Sequence, residues 1–322
     1  MAVCTKDIDL AVAALNRGEL IAIPTETVYG LAAKATLPEA VEQIFKVKKR
    51  PVTNPLILHF QDLNAALPYI DKPFEDVLSL AGRFWPGPLT LLLPKTKLVP
   101  DIITAGYDRV AIRVPAHPMA LTLLKRLKAP VAAPSANPSG YISPTLPSHV
   151  ENQLGDKISL ILDGGSCTRG IESTILGWDT SKQPVIYRSG SITAEEIALA
   201  LGKAVKILDS EGKKTEAPGM LSKHYAPKNV TLVTDNIEAA IKLHKDKKLG
   251  VIRAMPNANK TTVYKELILS KNGKLEEIAK NLYAAMHKMD SLNPDLIIIE
   301  TVPQEGIGIA INDKLKRAAS FK

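Results

Sequence analysis

The chain has 322 residues, of which 45% are apolar, 23% charged and 5% aromatic, and its formal net charge at pH 7 is +8. This length predicts two domains, and the composition excludes a disordered or fibrous chain. No apolar run approaches the ~20 residues of a membrane span, and the N-terminus lacks the pattern of a signal peptide. Two cysteines exclude a disulfide framework and a multi-cysteine zinc site. We therefore expect a soluble, cytoplasmic protein without a structural metal.

The positive charge is unevenly distributed. Residues 203–322 hold 21 Lys and Arg against 14 Asp and Glu, whereas residues 1–202 are nearly balanced. A basic region of this kind attracts nucleic acid or another polyanion. A lysine-rich solvated surface is the commoner explanation, so the charge alone decides little about function.

In the first two-thirds of the chain, helix-like and strand-like segments alternate irregularly, which predicts a mixed, twisted α/β sheet. The predicted helices are Asp7–Asn16, Pro38–Lys49, Phe74–Phe84, Pro118–Lys128 and Ala194–Leu201. The predicted strands are Leu20–Ile23, Leu56–Phe60, Leu89–Leu93, Val110–Val114, Leu160–Leu162, Ser173–Leu176 and Val185–Tyr187. We assign residues 1–205 to this first domain.

A polar stretch with Gly and Pro follows and predicts a linker over residues 206–229. A second alternation of strand-like and helix-like segments then predicts a small open-sheet domain of Rossmann-like type over residues 230–322. Its strands are Val230–Val233, Gly250–Arg253, Val263–Leu269 and Leu296–Ile299, and its helices are Ile237–His244, Leu275–Leu292 and Ile311–Ala319. Gly306 and Gly308 form a GxG without a third glycine or a strand–turn–helix setting, which argues against a dinucleotide site.

Polar loops follow several predicted strands of the first domain, at the positions where open α/β sheets bind ligands. The loop Pro24–Gly30, PTETVYG, offers threonine hydroxyls, although threonine also caps helices. The loop Lys46–Pro55, KVKKRPVTNP, places Arg50 in a proline turn with Asn54 four residues on, which suits a polyphosphate. Its cations also complement the dipole of the preceding helix. His59 follows on a strand, where a lone histidine is more often a core residue than a catalyst.

Later loops add further cations and hydroxyls. Arg109 and Arg113 lie four apart on one predicted strand and therefore on one face, without matching carboxylates, which indicates an anionic ligand. The loop Ala132–Thr145, AAPSANPSGYISPT, is rich in small hydroxyl and amide residues and is typical of a ligand cradle. GIEST and YRSG place Ser173 and Arg188 at later strand ends.

Several well-known catalytic signatures are missing from the sequence. It holds no GxxxxGKS/T, no HExxH and no GxSxG motif. Cations and hydroxyls at successive strand ends instead suit a nucleoside triphosphate together with a small polar anion, with catalysis by positioning and charge neutralisation. From the residues alone, the chain is a nucleotide-using α/β enzyme of unknown substrate.

Taken together, these loops resemble the YrdC-like family, in particular its long-form threonylcarbamoyl-AMP synthases. The shared segments, in the family's order, are PTETVYGLA, the KxR of Lys48 and Arg50 with Asn54, WPGPLT, AIRVP, the SxN of Ser135 and Asn137, Ser143-Pro-Thr, GIESTI and YRSG. They extend over about residues 5–202, and APGMLSKHYAP over Ala217–Pro227 is similar to the linker of the long forms. Each segment alone is weak evidence for the family, but eight segments in the family's order are specific evidence.

The resemblance implies a reaction of L-threonine, bicarbonate and ATP that gives threonylcarbamoyl-AMP and pyrophosphate, with Mg²⁺ on the pyrophosphate oxygens. The product would pass to a tRNA threonylcarbamoyl transferase, which modifies adenosine beside the anticodon. Whether the chain contacts tRNA directly stays open. The family's activity is that of a nucleotidyltransferase.

The resemblance also implies roles for individual residues. The nucleotide and its phosphates would contact Arg50, Asn54, Arg109, Ser135, Ser143, Arg188 and the linker residue His224. Threonine would contact Thr27, His59, Arg113, Ala133 and Ser173, with Arg113 facing its carboxylate. The catalytic set would be Lys48, Arg50, Ser135 and Asn137, without a covalent nucleophile and without a metal held by the protein.

The linker is expected to supply a lid, since His224 and Tyr225 could fold back over the nucleotide and exclude water. It reads Leu221-Ser222-Lys223 where many relatives are more basic and aromatic, so contacts from that stretch are less defined. The second domain carries no signature of a chemical role.

Two alternatives to a synthase remain. A non-enzymatic RNA-binding protein would use the same basic concavity, but sparse aromatics and the threonine-pocket residues argue against it. A carbamoyl-transfer module of hydrogenase maturation would need zinc-binding cysteine clusters, which two cysteines cannot form.

Overall fold

The strands belong to two sheets. The structure, a computed structural model, describes residues 1–208, 224–257 and 263–319. The strands of the first sheet are β1 (Val3–Thr5), β2 (Ile21–Ile23), β3 (Gly30–Lys34), β4 (Ile57–His59), β5 (Leu89–Pro94), β6 (Arg109–Arg113), β7 (Val131–Ala132), β8 (Leu160–Leu162), β9 (Thr174–Trp178), β10 (Pro184–Arg188) and β11 (Lys206–Ile207). Those of the second are β12 (Thr231–Thr234), β13 (Leu249–Arg253), β14 (Lys265–Ile268) and β15 (Leu296–Glu300).

Helices pack against both sheets. Those of the larger unit are α1 (Ile8–Asn16), α2 (Pro38–Lys48), α3 (Leu63–Ala66), α4 (Glu75–Phe84), α5 (Asp101–Thr104), α6 (Pro118–Leu127), α7 (Pro147–Leu154) and α8 (Ala194–Leu201), with a short 3₁₀ turn at Leu67–Tyr69. Those of the smaller unit are α9 (Ile237–Leu243), α10 (Leu275–Ser291) and α11 (Ile307–Ala318). Across the described ranges, none of these helices has the length and apolar character needed to cross a membrane.

The two sheets differ in strand direction. The first runs β1-β8-β2-β3-β7-β4-β6-β5-β9-β10-β11 and mixes parallel and antiparallel pairs, such as β4 beside β6 and β5 beside β6. The second runs β12-β15-β13-β14 with every pair parallel. A mixed α/β sheet with a small open parallel sheet is the predicted fold class, which is thereby confirmed.

Local sequence explains where several elements begin and end. Asp7 caps α1 by accepting hydrogen bonds from the amides of Asp9 and Leu10. Thr193 and Glu196 form a reciprocal capping box at the start of α8. At the end of α2, Lys49 takes a left-handed conformation with φ of 51°, which turns the chain sharply before Arg50.

The elements that the sequence patterns missed include β3 and α7, and the start of a third element, α11, was misjudged. β3 reads GLAAK, whose small residues lack the β-branched and alternating pattern that identifies strands. α7 begins with Pro147 at its first turn and carries few apolar residues. The helix predicted to begin at Ile311 starts at Ile307, directly after the turn that follows strand β15. Gly306 and Gly308 therefore do lie in a strand–turn–helix setting, contrary to the prediction.

The two units share a hydrophobic cluster. Ile142 and Ile171 of the larger unit pack in it with residues of the smaller one, among them Leu282 and Met286. The Tyr141 hydroxyl donates to Asp290 Oδ2 at 2.5 Å across the same boundary. The domain limits near residues 205 and 230 stay a prediction, because residues 209–223 of the predicted linker lie outside the described ranges.

Two histidines also meet at this boundary, one from α7 and one from α10. The rings of His149 and His287 stack with centroids 4.0 Å apart. Burial lowers the pKa of His149 to about 3, with a further contribution from His287. Burial likewise lowers the pKa of His287 to about 4, so both rings are neutral in the folded protein.

The lowered pKa values of His149 and His287 predict that the free energy of unfolding falls in mild acid. Each ring is neutral in the folded protein but protonates below pH ~6.5 in the unfolded chain. The stability that each ring contributes is therefore complete above that pH and is lost as pH falls, towards about 4 for His287. In urea unfolding at pH 7 and pH 5, His287→Gln should remove about 2 kcal/mol of the pH dependence. Equal pH dependence in wild type and His287→Gln would contradict the prediction.

Candidate active site

A cavity of about 50 Å³ opens where polar loops meet beside the middle strands of the large sheet. It is lined by nine of the residues that the sequence predicts for the site, which are Thr27, Arg50, His59, Arg113, Ala133, Ser135, Ser173, Arg188 and His224. Thr25, Glu172 and Tyr225 complete much of the remaining polar wall. Residues more than 190 positions apart in sequence thus converge on one site.

Arg113, at the end of β6, is held by three partners. Its Nη2 donates to Glu26 Oε1 at 2.6 Å, its Nη1 donates to Thr27 Oγ1 at 3.1 Å, and its Nε donates to the Gly87 carbonyl. Both members of the ion pair are buried. The inference that the strand arginines lack matching carboxylates is therefore wrong for Arg113, because Glu26 supplies one.

Arg109 lies on the same strand but outside the cavity lining. Its Nη1 donates to the Tyr187 hydroxyl at 3.0 Å and to the Trp178 carbonyl. Its guanidinium also lies 5.0 Å from the centre of the Tyr187 ring, within cation–π range. The four-residue spacing thus does not bring both arginines to the cavity.

Arg50 enters the cavity from the turn after α2. Its Nη2 donates to Asn54 Oδ1 at 2.6 Å and to the Pro55 carbonyl at 2.7 Å, and its Nε donates to the Asn54 carbonyl. Burial, together with the charge of Arg188, lowers its pKa to about 9. Asn54 does not line the cavity itself, but it fixes the guanidinium that does.

Lys48 and Asn137 also lie behind the lining. The ammonium of Lys48 donates to the carbonyls of Ser135 (2.5 Å) and Asn137, so it ties α2 to the loop after β7. Burial, with a smaller contribution from Arg50, holds the pKa of Lys48 well below its usual value. Asn137 Nδ2 donates to the carbonyls of Pro138 and Tyr141. These two residues set the shape of the loop that presents Ser135.

Ser173 and Arg188 form a second basic corner. Arg188 Nη2 donates to both the carbonyl and the hydroxyl of Ser173 at 2.9 Å. The Ser173 hydroxyl also shares a 2.7 Å hydrogen bond with Thr90 Oγ1. The guanidinium is thereby oriented by the loop beside it, as that of Arg50 is oriented by Asn54 and Pro55.

Ser143 is buried outside the lining, where its hydroxyl donates to Glu172 Oε1 at 2.7 Å. The other oxygen of Glu172 accepts a 2.9 Å hydrogen bond from the hydroxyl of Tyr283, a residue of α10. The serine of the Ser-Pro-Thr segment therefore contacts a carboxylate of the cavity wall rather than the cavity.

The two histidines of the site are neutral. Burial, followed by the charge of Arg113, lowers the pKa of His59 to about 3. Burial and the cations Arg50 and Lys48 hold the pKa of His224 well below its usual value. In the part of the chain that the structure describes, the Nδ1 atoms of both rings and the Tyr225 hydroxyl are buried without a hydrogen-bond partner. Such atoms are available to a ligand.

His224 and Tyr225 are held against the cavity by the small domain. The His224 amide donates to the Arg317 carbonyl at 3.1 Å. The Tyr225 ring stacks on Tyr283 with centroids 5.7 Å apart, and Lys314 Nζ lies 5.5 Å from the centre of the Tyr225 ring. Tyr225 has a φ of 63°, which is uncommon for a non-glycine residue. The lining residues His224 and Tyr225 thus contact α10 and α11.

Sequence reasoning gave no role to several residues that shape this site. Glu26 and Glu172 lie inside the quoted motifs PTETVYG and GIESTI, and a single acid among uncharged residues was the signal that could have identified them. Tyr283 and Lys314 lie in ordinary amphipathic helices, whose periodicity predicts core residues and nothing more. Among the described residues, no group of three or more His, Cys, Asp or Glu could hold a metal ion.

Comparison with known proteins defines the class to which this fold and site belong. A family model described as "Telomere recombination" matches residues 13–190, which is more than half of the chain. A second, described as "Threonylcarbamoyl-AMP synthase, C-terminal domain", matches residues 192–320. The chain therefore combines a YrdC-like domain with the C-terminal domain of such synthases.

Individual relatives make the assignment specific. The threonylcarbamoyl-AMP synthase of Pyrococcus abyssi is 39% identical over 328 residues, which cover 98% of this chain and 94% of that protein. That of Bacillus subtilis is 38% identical over 318 residues, covering 96% and 92%. The crystal structure of P. abyssi Sua5 complexed with L-threonine matches with a TM-score of 0.92 at 38% identity, covering 100% and 98%. The chain belongs to the threonylcarbamoyl-AMP synthase family, as the resemblance predicted.

The buried ion pair between Arg113 and Glu26 predicts that a conservative substitution of Glu26 strongly lowers the stability of the protein. Glu26→Gln removes the charge that compensates Arg113, and an uncompensated buried charge costs about 3 kcal/mol. Urea unfolding at pH 7 should show this loss. Glu42→Gln breaks an exposed pair with Lys46 and should change stability by less than about 0.5 kcal/mol. Similar effects of both substitutions would refute the stated role of Glu26.

Proposed function

We propose that this chain is a nucleotidyltransferase that forms threonylcarbamoyl-AMP from L-threonine, bicarbonate and ATP, with release of pyrophosphate. The observation that carries the proposal is the cavity itself, where Arg50, Arg113 and Arg188 surround hydroxyls and neutral histidines. Three guanidinium groups suit a triphosphate and an amino-acid carboxylate. The Pyrococcus relative, whose structure is described as complexed with L-threonine, supports the same substrate.

The reaction has two steps, and no protein atom forms a covalent bond in either step. The threonine amine adds to bicarbonate with loss of water, which gives an N-carboxylate. An oxygen of that carboxylate then attacks the α-phosphorus of ATP, and the bond to the β-phosphate oxygen breaks to release pyrophosphate. The protein contributes position and charge, which are the main sources of catalysis in phosphoryl chemistry.

For threonine, we propose that Arg113 binds the carboxylate while Glu26 holds the guanidinium in place. Thr27 and Ser173 offer hydroxyls, and Ala133 offers an apolar wall beside them. The neutral ring of His59 offers a nitrogen without adding charge.

For the nucleotide, we propose that Arg50, Arg188 and Ser135 contact the phosphates. Their supports would be Lys48, Asn54, Asn137 and Ser143, which hold lining residues in place. Arg109, which lies beyond the lining, would act through Tyr187 rather than by direct contact.

We propose that Mg²⁺ arrives with ATP as part of the substrate. Across residues 1–208, 224–257 and 263–319, no group of three or more His, Cys, Asp or Glu could hold a metal ion, and Mg²⁺ is commonly bound through substrate phosphates and water. No step of the proposed reaction depends on a metal ion held by the protein. The adenylate would pass to a tRNA threonylcarbamoyl transferase in the cytoplasm.

We further propose that His224 and Tyr225 act as a lid. The cavity of about 50 Å³ is small beside the about 300–1,000 Å³ of pockets that take drug-sized ligands. Both side chains line the cavity and are almost fully buried. They would move out to admit the nucleotide and return over it, which excludes water from a labile carbamate.

The lid predicts a specific defect. Replacing His224 and Tyr225 together with alanine should weaken ATP binding and lower turnover by about tenfold each, because the nucleotide loses contacts and water enters. ATP affinity from calorimetry and turnover from pyrophosphate release would measure both. His244→Ala with Tyr264→Ala, on the far part of the small domain, is the matched control. Unchanged affinity and rate in the lid variant would exclude the lid.

The proposed function is tested by pyrophosphate release from ATP in the presence of bicarbonate. Release should require L-threonine, should be much slower with serine, and should yield a threonylcarbamoyl-adenylate by mass spectrometry. Release without any amino acid, or none at all, would overturn the proposal. A salt-titrated tRNA binding assay would then test the RNA-binding alternative.

A further inference from the structure

Two helices of the small domain contact the cavity wall, and one of the contacts from α10 is made by a tyrosine hydroxyl. Tyr283 is fully buried, and its hydroxyl donates to Glu172 Oε2 at 2.9 Å. Glu172 lines the cavity and is only 6% exposed. A carboxylate in this position needs partners for both oxygens, because burial without them is costly. The small domain supplies one of those partners.

The other oxygen of Glu172 is held from within the large domain. Ser143 Oγ donates to Glu172 Oε1 at 2.7 Å. The carboxylate is therefore clamped between two hydroxyls, one from each domain. Hydrogen bonds to a charged group are stronger than those between neutral groups, so each fixes the orientation of Glu172 within the wall.

The chain around Glu172 is shaped to meet α10. Gly170 has a φ of 77°, and a Cβ added there would lie 2.4 Å from the Cα of Lys280 and 2.5 Å from the carbonyl oxygen of Ala279. Only glycine permits this approach of loop to helix backbone. The loop that carries Glu172 and Ser173 thus rests directly on the helix that carries Tyr283.

A second contact fixes the neighbouring loop in the same way. Lys314, on α11, donates from Nζ to the Ser189 carbonyl at 2.7 Å, beside Arg188. Both loops that form the second basic corner of the cavity are therefore held by side chains of the small domain. This domain has a direct structural connection to the reacting site, although none of its own sequence motifs indicates chemistry.

We propose that Tyr283 is a positioning residue for the synthase reaction, acting through the carboxylate of Glu172. Its hydroxyl keeps Glu172, and with it the adjoining Ser173, in the orientation that the substrates require. The inference rests on the proposed function. Removal of the hydroxyl alone leaves the ring in place, so the packing of Tyr283 on Tyr225 is retained.

The test compares Tyr283→Phe with wild type in the full chain, using threonine-dependent pyrophosphate release. Loss of one hydrogen bond to a charged group should lower kcat/KM by about tenfold. Tyr264→Phe, the same substitution at a half-exposed tyrosine of the same domain, should leave kcat/KM unchanged. Thermal unfolding of each variant shows that the comparison is between folded proteins.

A double-mutant cycle separates positioning from packing. If Tyr283 acts through Glu172, Tyr283→Phe should cost less than about twofold in a Glu172→Gln background, because the two effects are not additive. If Glu172→Gln has no measurable turnover, Ser143→Ala replaces it in the cycle. Because both hydroxyls hold the same carboxylate, the loss caused by Tyr283→Phe in the Ser143→Ala background should then differ from its loss in the wild type. An equal tenfold loss in both backgrounds, or no loss in the single variant, would overturn the proposal.

The two proposals fail in different ways. A wild-type protein that releases no threonine-dependent pyrophosphate overturns the proposed function and the role of Tyr283 with it. An active wild type whose Tyr283→Phe variant is equally active overturns the role of Tyr283 alone.

Discussion

Charge burial is the constraint around which this site is organised. Lys48, Arg50, Arg113 and Arg188 are all nearly excluded from solvent, and ionised side chains are costly to bury without partners. The chain meets this cost in two ways. Glu26 neutralises Arg113 directly, while backbone carbonyls accept hydrogen bonds from Lys48, Arg50 and Arg188. Carbonyls orient a cation without cancelling its charge, so the cavity stays attractive to anions.

The same constraint explains why so many of the motif residues do not face the cavity. Asn54, Lys48 and Ser143 each hold a residue or loop of the lining rather than extend into it. A buried guanidinium or carboxylate needs several fixed partners to keep one orientation, and those partners form a second layer. Short motifs such as KxR therefore encode both a residue of the cavity lining and a residue that supports the lining.

Sequence reasoning recovered the fold class and most of the cavity lining, because helical periodicity, strand ends and ordered motifs are local signals. It could not predict that Arg113 lines the cavity while Arg109 does not. Spacing along β6 gives the face of the strand on which each arginine lies, but not the residue that its guanidinium contacts. It missed β3 because small residues carry a weak strand signal. It missed Tyr283 because a contact with a residue 111 positions away leaves no local pattern.

That separation along the chain has a consequence during protein synthesis. The large sheet is complete once β11 has been made, but Tyr283 and Lys314 follow 76 and more residues later, near the end of the chain. Domains generally fold in the order in which they leave the ribosome. A nascent chain thus forms the large sheet while Glu172 and the Ser189 loop still lack their partners, and the cavity wall is completed only after α10 and α11 have been made.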